Sequence, residues 1–301
     1  MATFSPTDAA LEGFRLTREK PRIVLVWVLV YMVVKAIINV MLVAFAGREL
    51  NAWEAAAEAG AQDPALTMAF LEKAWPVTLL GMTLTIVFAA AVYRLVLRPA
   101  DSKGAYLRLG MDEMRLALIL LIFVGLAAVF AFAIVLAFGI MAGIAAVAAH
   151  MTGDKLPVTL VALLGALAGV AVLPTFVWLW IRLSLAWPMS FAERRIRIFE
   201  SWRLTHHQFW RLFGTYLLAL ILTIIVAVLG LIIYVAVAAM LTGWSAAVQV
   251  FQPDATSLAT YFTPAMVIYT VFGGALGALQ YLIIIAPGAL AYQELAESAN
   301  A

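Results

Sequence analysis

The hydrophobic positions of this chain gather into six long runs, separated by shorter segments that carry most of the charge. The runs are 23–46, 77–98, 116–149, 158–187, 212–242 and 265–286. Each is long enough to cross a bilayer, which takes about 20 apolar residues of helix, and none alternates as barrel strands do. The pattern predicts an all-α integral membrane protein with six transmembrane helices, of which 115–149 and 209–243 each form one continuous helix.

Prolines bracket every second run. The pairs are Pro76 and Pro99, Pro157 and Pro188, and Pro264 and Pro287. Because proline fits the first turn of a helix and ends a preceding helix, the six helices are predicted to form three hairpins within a single transmembrane domain, 1–301.

Related positions recur along the chain, since Arg15, Arg108 and Arg203 are 93 and 95 residues apart. A fixed period of this kind indicates an internal repeat. The alternative is that proline and arginine gather at membrane interfaces without any duplication. The repeat-like units would be 1–99, 100–188 and 189–301.

Short amphipathic segments precede the first and fifth runs. Ser5, Pro6 and Asp8 form a helix-start signal, with an N-cap followed by proline at the first helical position. A second such signal is expected at Ser190 and Glu193, before a basic segment that also carries aromatic and aliphatic residues. Both segments are predicted to be interfacial amphipathic helices.

Composition agrees with a membrane protein, since 65% of the residues are hydrophobic and 12% are charged. The first run is longer than the apolar core of a signal peptide, about 7–15 residues, so we expect it to remain as the first transmembrane helix. The chain has no cysteine, which excludes disulfides, metal–thiolate sites and a cysteine nucleophile.

Lysine and arginine concentrate on one set of connecting segments. The N-terminal segment, 92–116 and 182–211 hold four, five and six of the 19 basic residues. The positive-inside rule places these segments, and with them both termini, in the cytoplasm. This basic face would attract anionic lipid headgroups. The alternative explanation of the bias is ordinary topology signalling.

Lys35 is a cation near the middle of the first run, and Tyr31, Lys35 and Asn39 share one helical face. A mid-membrane cation is costly and indicates a functional site. The six runs contain no Asp or Glu, so Lys35 would face a wet cavity, an anionic ligand or a lipid phosphate. The alternative is that its side chain extends outward to the interface.

Arg94 and Arg182 stand five and six residues before their bracketing prolines. Arginine binds phosphate through two parallel N–H groups, so both are candidate contacts for a phospholipid headgroup. Simple anchoring at the interface is the alternative.

No motif for catalysis, a metal or a cofactor stands out, and nothing indicates nucleic-acid binding. His206 and His207 are adjacent, whereas two metal-binding histidines on a helix are expected four residues apart. The runs lack the paired nucleophile and base of a membrane-embedded hydrolase. The chain is therefore predicted not to be an enzyme.

Residues 180–213 carry Trp-Ile-Arg-Leu-Ser-Leu-Ala-Trp-Pro, then Glu-Ser-Trp-Arg-Leu-Thr and Phe-Trp-Arg. With the closing Ala-Pro-Gly-Ala-Leu-Ala-Tyr-Gln-Glu-Leu, these strings resemble the YciC-like bacterial multi-pass proteins and the membrane domain attached to some glycerophosphodiester phosphodiesterases. The resemblance implies a multi-pass protein of the bacterial inner membrane, connected with envelope lipids. The phosphodiesterase catalytic domain is absent from these 301 residues, so no catalytic residue carries over.

The leading hypothesis is a non-enzymatic inner-membrane protein that contacts anionic phospholipid or organises the envelope membrane. The alternative is a transporter, channel or insertase-like protein with a groove containing Lys35. The oligomeric state is left open.

Overall fold

The computed structural model describes residues 4–61, 63–153 and 156–300. Within those ranges the chain forms α-helices and one short 3-10 helix at Lys103–Tyr106, and no β-strand. The prediction of an all-α protein is confirmed for the described residues. The α-helices are α1 Pro6–Glu19, α2 Pro21–Glu58, α3 Pro64–Leu97, α4 Met111–Thr152, α5 Leu156–Leu183, α6 Ala186–Glu193, α7 Glu200–Leu204, α8 Phe209–Thr242, α9 Trp244–Gln249, α10 Leu258–Tyr261 and α11 Pro264–Asn300.

Five helices among the described residues are long and apolar enough to cross a membrane, namely α2, α3, α4, α8 and α11. They cover every predicted run except 158–187. That run forms α5, which ends at Leu183, and part of it lies outside the residues whose side chains are described. The two long continuous helices predicted at 115–149 and 209–243 are confirmed as α4 and α8.

The prolines do not mark both ends of the bracketed helices, which corrects the sequence prediction. Pro64 begins α3, where the Asp63 side chain accepts a hydrogen bond from a first-turn N–H at 2.8 Å, and Pro76 lies inside the helix. Pro287 likewise lies inside α11. Interior proline is tolerated in transmembrane helices because neighbouring helices, Ser/Thr side chains, ordered waters and local adjustments of the helix satisfy the freed backbone groups.

The chain divides into two compact units by its internal contacts. Unit one comprises Met1–Glu113 and Gly214–Ala301, and unit two comprises Met114–Phe213. These limits do not coincide with the predicted repeat-like units. The threefold repeat, the three hairpins and the single-domain organisation therefore stay predictions.

The core of unit one lies where α2, α3 and α11 meet. Trp27 of α2, Phe88 of α3 and Leu282 of α11 are buried together in one apolar cluster. The Trp27 ring also donates a hydrogen bond from Nε1 to the Ala105 carbonyl at 2.7 Å, which ties α2 to the segment that follows α3.

The N-terminal helix α1 begins as predicted and packs against α11. The Ser5 side chain accepts a hydrogen bond from the Asp8 N–H at 3.3 Å. A Cβ atom at Gly13 would lie 2.7 Å from the Ile283 Cα atom, so the two backbones approach each other at a position where only glycine fits. Phe14 is exposed, as expected of an interfacial amphipathic helix.

The segment before the fifth run forms α6 and α7 rather than one helix starting at Ser190. Ser190 lies inside α6, and its Oγ accepts a hydrogen bond from the Arg197 N–H at 2.9 Å. The predicted helix start is wrong because Pro188 falls in the first turn of α6, where its missing N–H costs nothing. The helix therefore begins at Ala186.

Candidate functional site

In unit two, the Arg182 side chain contacts two indole rings. Its guanidinium carbon lies 5.7 Å from the centre of the Trp178 ring and 5.5 Å from that of Trp202. The two rings meet edge to face at 4.9 Å and 89°. We call Trp178, Arg182 and Trp202 the tryptophan clamp; each ring contributes a cation–π attraction of about 0.5–2 kcal/mol.

Hydrogen bonds to the backbone of α5 fix the position of Trp202. The hydroxyls of Ser201 and Thr205 donate to the Arg182 carbonyl at 3.0 and 3.1 Å. This carbonyl lies in the last turn of α5, where no intrahelical donor remains for it. Ser201 and Thr205 are fully buried, so the α7 segment is attached firmly at the end of α5.

The charged end of Arg182 is buried but not satisfied. The residue is 9% exposed, and none of the described residues offers a hydrogen-bond acceptor to its Nε and Nη1 atoms. Burying the N–H groups of a cation without acceptors is costly, and contacts with two rings offset only part of that cost. Trp178, which contacts the guanidinium, is 39% exposed.

Further arginines surround this segment. Arg194, Arg195 and Arg203 are exposed, whereas Arg197 pairs with Glu193 at 2.7 Å and Glu200 at 2.6 Å. The clamp therefore lies in a strongly basic stretch of chain, which raises the local concentration of anions.

Arg94 has quite different surroundings in unit one. Its side chain is 1% exposed, donates to the Tyr106 carbonyl at 2.9 Å and pairs with the buried Glu113 carboxylate. Asp112 lies 3.8 Å away. Arg94 thus has an acceptor and a counter-charge within the protein. Arg94 and Arg182 were both named as candidate phosphate contacts, but their surroundings differ in this respect.

The same part of unit one contains a second, more exposed ion pair. Arg108 donates two hydrogen bonds to the Asp101 carboxylate, and this interaction lowers the pKa of Asp101 below its ordinary value. The pair anchors the short segment between α3 and α4.

Tyr31 and Asn39 both face α11. Asn39 Nδ2 donates to the Thr270 hydroxyl at 3.3 Å, and the Tyr31 ring packs on that of Tyr281 at 5.6 Å. Lys35 is partly exposed on the same stretch of α2, and no described residue forms an ion pair with it. Polar side chains therefore lie along this part of the contact between α2 and α11.

The described residues contain no group of three or more His, Cys, Asp or Glu side chains placed to hold a metal ion. His206 and His207 contact each other at 3.1 Å between ring nitrogens and are exposed. Sequence reasoning pointed to Arg182 but missed its two tryptophans. The four-residue spacing of Trp178 and Arg182 was a readable signal; the contact with Trp202 was not.

Comparison of the chain with models of protein families, with curated proteins and with solved structures found no match. The resemblance to the YciC-like proteins therefore stays an expectation.

Proposed function

We propose that this chain is a non-enzymatic protein of the bacterial inner membrane that binds an anionic phospholipid through Arg182. The observation that carries the proposal is the buried Arg182 guanidinium, whose Nε and Nη1 atoms lack acceptors among the described residues. The guanidinium has two forks that can receive a phosphate, Nε with Nη2 and Nη1 with Nη2, and each includes one of these two atoms. A lipid phosphodiester at either fork would supply an acceptor and the missing negative charge.

The topology that fits this function has six crossings, with α5 as the sixth, arranged as three hairpins. Both termini and the helices α1, α6 and α7 then lie on the cytoplasmic side, in keeping with the basic segments. In that topology Arg182, one residue before the end of α5, would lie at the depth of the cytoplasmic headgroups. Tryptophan is enriched at that depth, and the clamp supplies two.

The test compares Arg182→Gln with the wild-type chain in nanodiscs that contain phosphatidylglycerol. Charge-assisted hydrogen bonds contribute about 1.5–3 kcal/mol, so we expect the apparent affinity for phosphatidylglycerol to fall about 10- to 100-fold. Lipid retained by the released protein would be counted by native mass spectrometry.

The matched control is Arg203→Gln, which removes an exposed arginine of the same segment. We expect it to change the affinity less than about fivefold, because exposed charges contribute about 1 kcal/mol or less. Equal losses in both variants would show general attraction to a basic surface and would overturn the proposal for Arg182.

A transporter, channel or insertase-like function is the second candidate, and the polar α2–α11 contact beside Lys35 favours it. On that account, wild-type proteoliposomes would release trapped anions and Lys35→Met would reduce the flux at least tenfold. An efflux assay with chloride as the probe separates the two candidates. If the wild type shows no chloride efflux, anion conduction is ruled out. If the wild type and Lys35→Met show equal efflux, Lys35 does not take part in conduction.

A further inference from the structure

An apolar groove of about 340 Å³ lies between α4 and α5 in unit two. We call it the aromatic groove, because rings from both helices line it and contact one another. Phe123 of α4 meets Trp180 of α5 at 6.2 Å, and Phe130 of α4 meets Phe176 of α5 at 6.3 Å.

The aromatic groove shares a wall with the tryptophan clamp. Leu179 and Leu183 line the groove and flank Arg182 on α5. Both leucines pack in one apolar cluster with Trp202, the ring that contacts the Arg182 guanidinium. The groove and the clamp are therefore connected through the contact of these leucines with Trp202.

We infer that the aromatic groove holds one acyl chain of the phospholipid whose phosphate Arg182 binds; the inference rests on the proposed function. A volume of 340 Å³ is at the small end of ligand sites, about 300–1,000 Å³, which suits one chain. The adjoining cation selects an amphiphile with an anionic head over a wholly apolar molecule.

A partner helix fits the aromatic groove less well than an acyl chain. Membrane helices associate through small residues that let their backbones approach, whereas phenylalanine, leucine and tryptophan dominate this lining. An acyl chain is thin and flexible enough to follow such a surface. The acyl chain moves from the apolar bilayer into an apolar groove, so no hydrophobic free energy is gained. Its preference for the groove therefore depends on how well its shape fits.

The test uses full-length protein in nanodiscs with phosphatidylglycerol that carries a photoreactive diazirine in the middle of one acyl chain. In the wild type, we expect mass spectrometry to find adducts on the groove-lining parts of α4 and α5. Ala127→Phe fills the groove and should reduce those adducts at least fivefold. The control, Ala128→Phe, adds the same ring at the next position, which does not line the groove, and should leave them unchanged.

Two further measurements keep the inference separate from the proposed function. Ala133→Phe fills the groove at a second position, in case Ala127→Phe does not fold. If both fillers leave the adducts unchanged while Arg182→Gln still weakens phosphatidylglycerol binding, the groove inference is overturned and the proposed function stands. If Arg182→Gln leaves binding unchanged, the proposed function fails and the inference fails with it. A dimer in native mass spectrometry that Ala127→Phe dissociates would assign the groove to self-association and overturn the inference.

Discussion

Glu113→Ala is expected to lower the free energy of unfolding by about 3 kcal/mol, because removing one member of a buried ion pair leaves an uncompensated charge. Arg94 is 1% exposed, and arginine cannot relieve the cost by losing its proton. The effect falls at the lower end of the range for such pairs because Asp112 lies 3.8 Å from the guanidinium. Unfolding in detergent micelles, followed by circular dichroism, measures the loss.

Two comparison variants separate the buried pair from a general effect of charge removal. Arg108→Ala breaks a partly exposed pair with Asp101 and should cost about 1 kcal/mol or less. Joint replacement of Arg94 and Glu113 by leucine should cost less than Glu113→Ala alone, because no charge is then left buried. If Glu113→Ala is as stable as the wild type, Glu113 does not compensate Arg94.

Gly274→Ala is expected to destabilise unit one by about 1–3 kcal/mol, the usual cost of an added methyl group where none fits. A Cβ atom at this position would lie 2.8 Å from Met32 Cγ and 2.9 Å from Met32 Cα on α2. The second of these is a backbone atom, which cannot rotate away, so α2 and α11 would have to separate. The same unfolding measurement in micelles reports the change.

Gly273→Ala is the matched control on the same helix. Among the described residues, no heavy atom outside the local helix lies within 4 Å of a Cβ atom placed there. Alanine also favours the helical state by about 1 kcal/mol over glycine, so we expect equal or slightly higher stability. Equal losses in both variants would mean that the α2–α11 approach is not limited by Gly274.

The long helices were predictable because the thickness of a bilayer requires long apolar segments. The ends of the helices were less predictable. Within a continuous apolar stretch, a proline can stand either in the first turn or in the interior, and hydropathy alone does not distinguish the two. At Pro76 the better signal was Asp63 followed by Pro64, an N-cap before a first-turn proline.

The candidate site was predictable in part. Arg94 and Arg182 stand at similar distances from a proline, yet their surroundings depend on which segments fold back onto them. Glu113 reaches Arg94 from the first turn of α4. An acidic residue there is already explained by the helix dipole, so nothing in the sequence indicated an ion pair. Trp202 reaches Arg182 because Ser201 and Thr205 bond to the end of α5, a tertiary contact without a sequence signature.

The most direct test of the lipid site at Arg182 is a cryo-electron microscopy map of the full chain in nanodiscs containing phosphatidylglycerol. We expect a lipid phosphate in the tryptophan clamp, with oxygens about 2.7–2.9 Å from the two nitrogens of one fork of the Arg182 guanidinium. A map in which a carboxylate of the protein pairs with Arg182, or in which no lipid phosphate reaches the clamp, would contradict the proposed function.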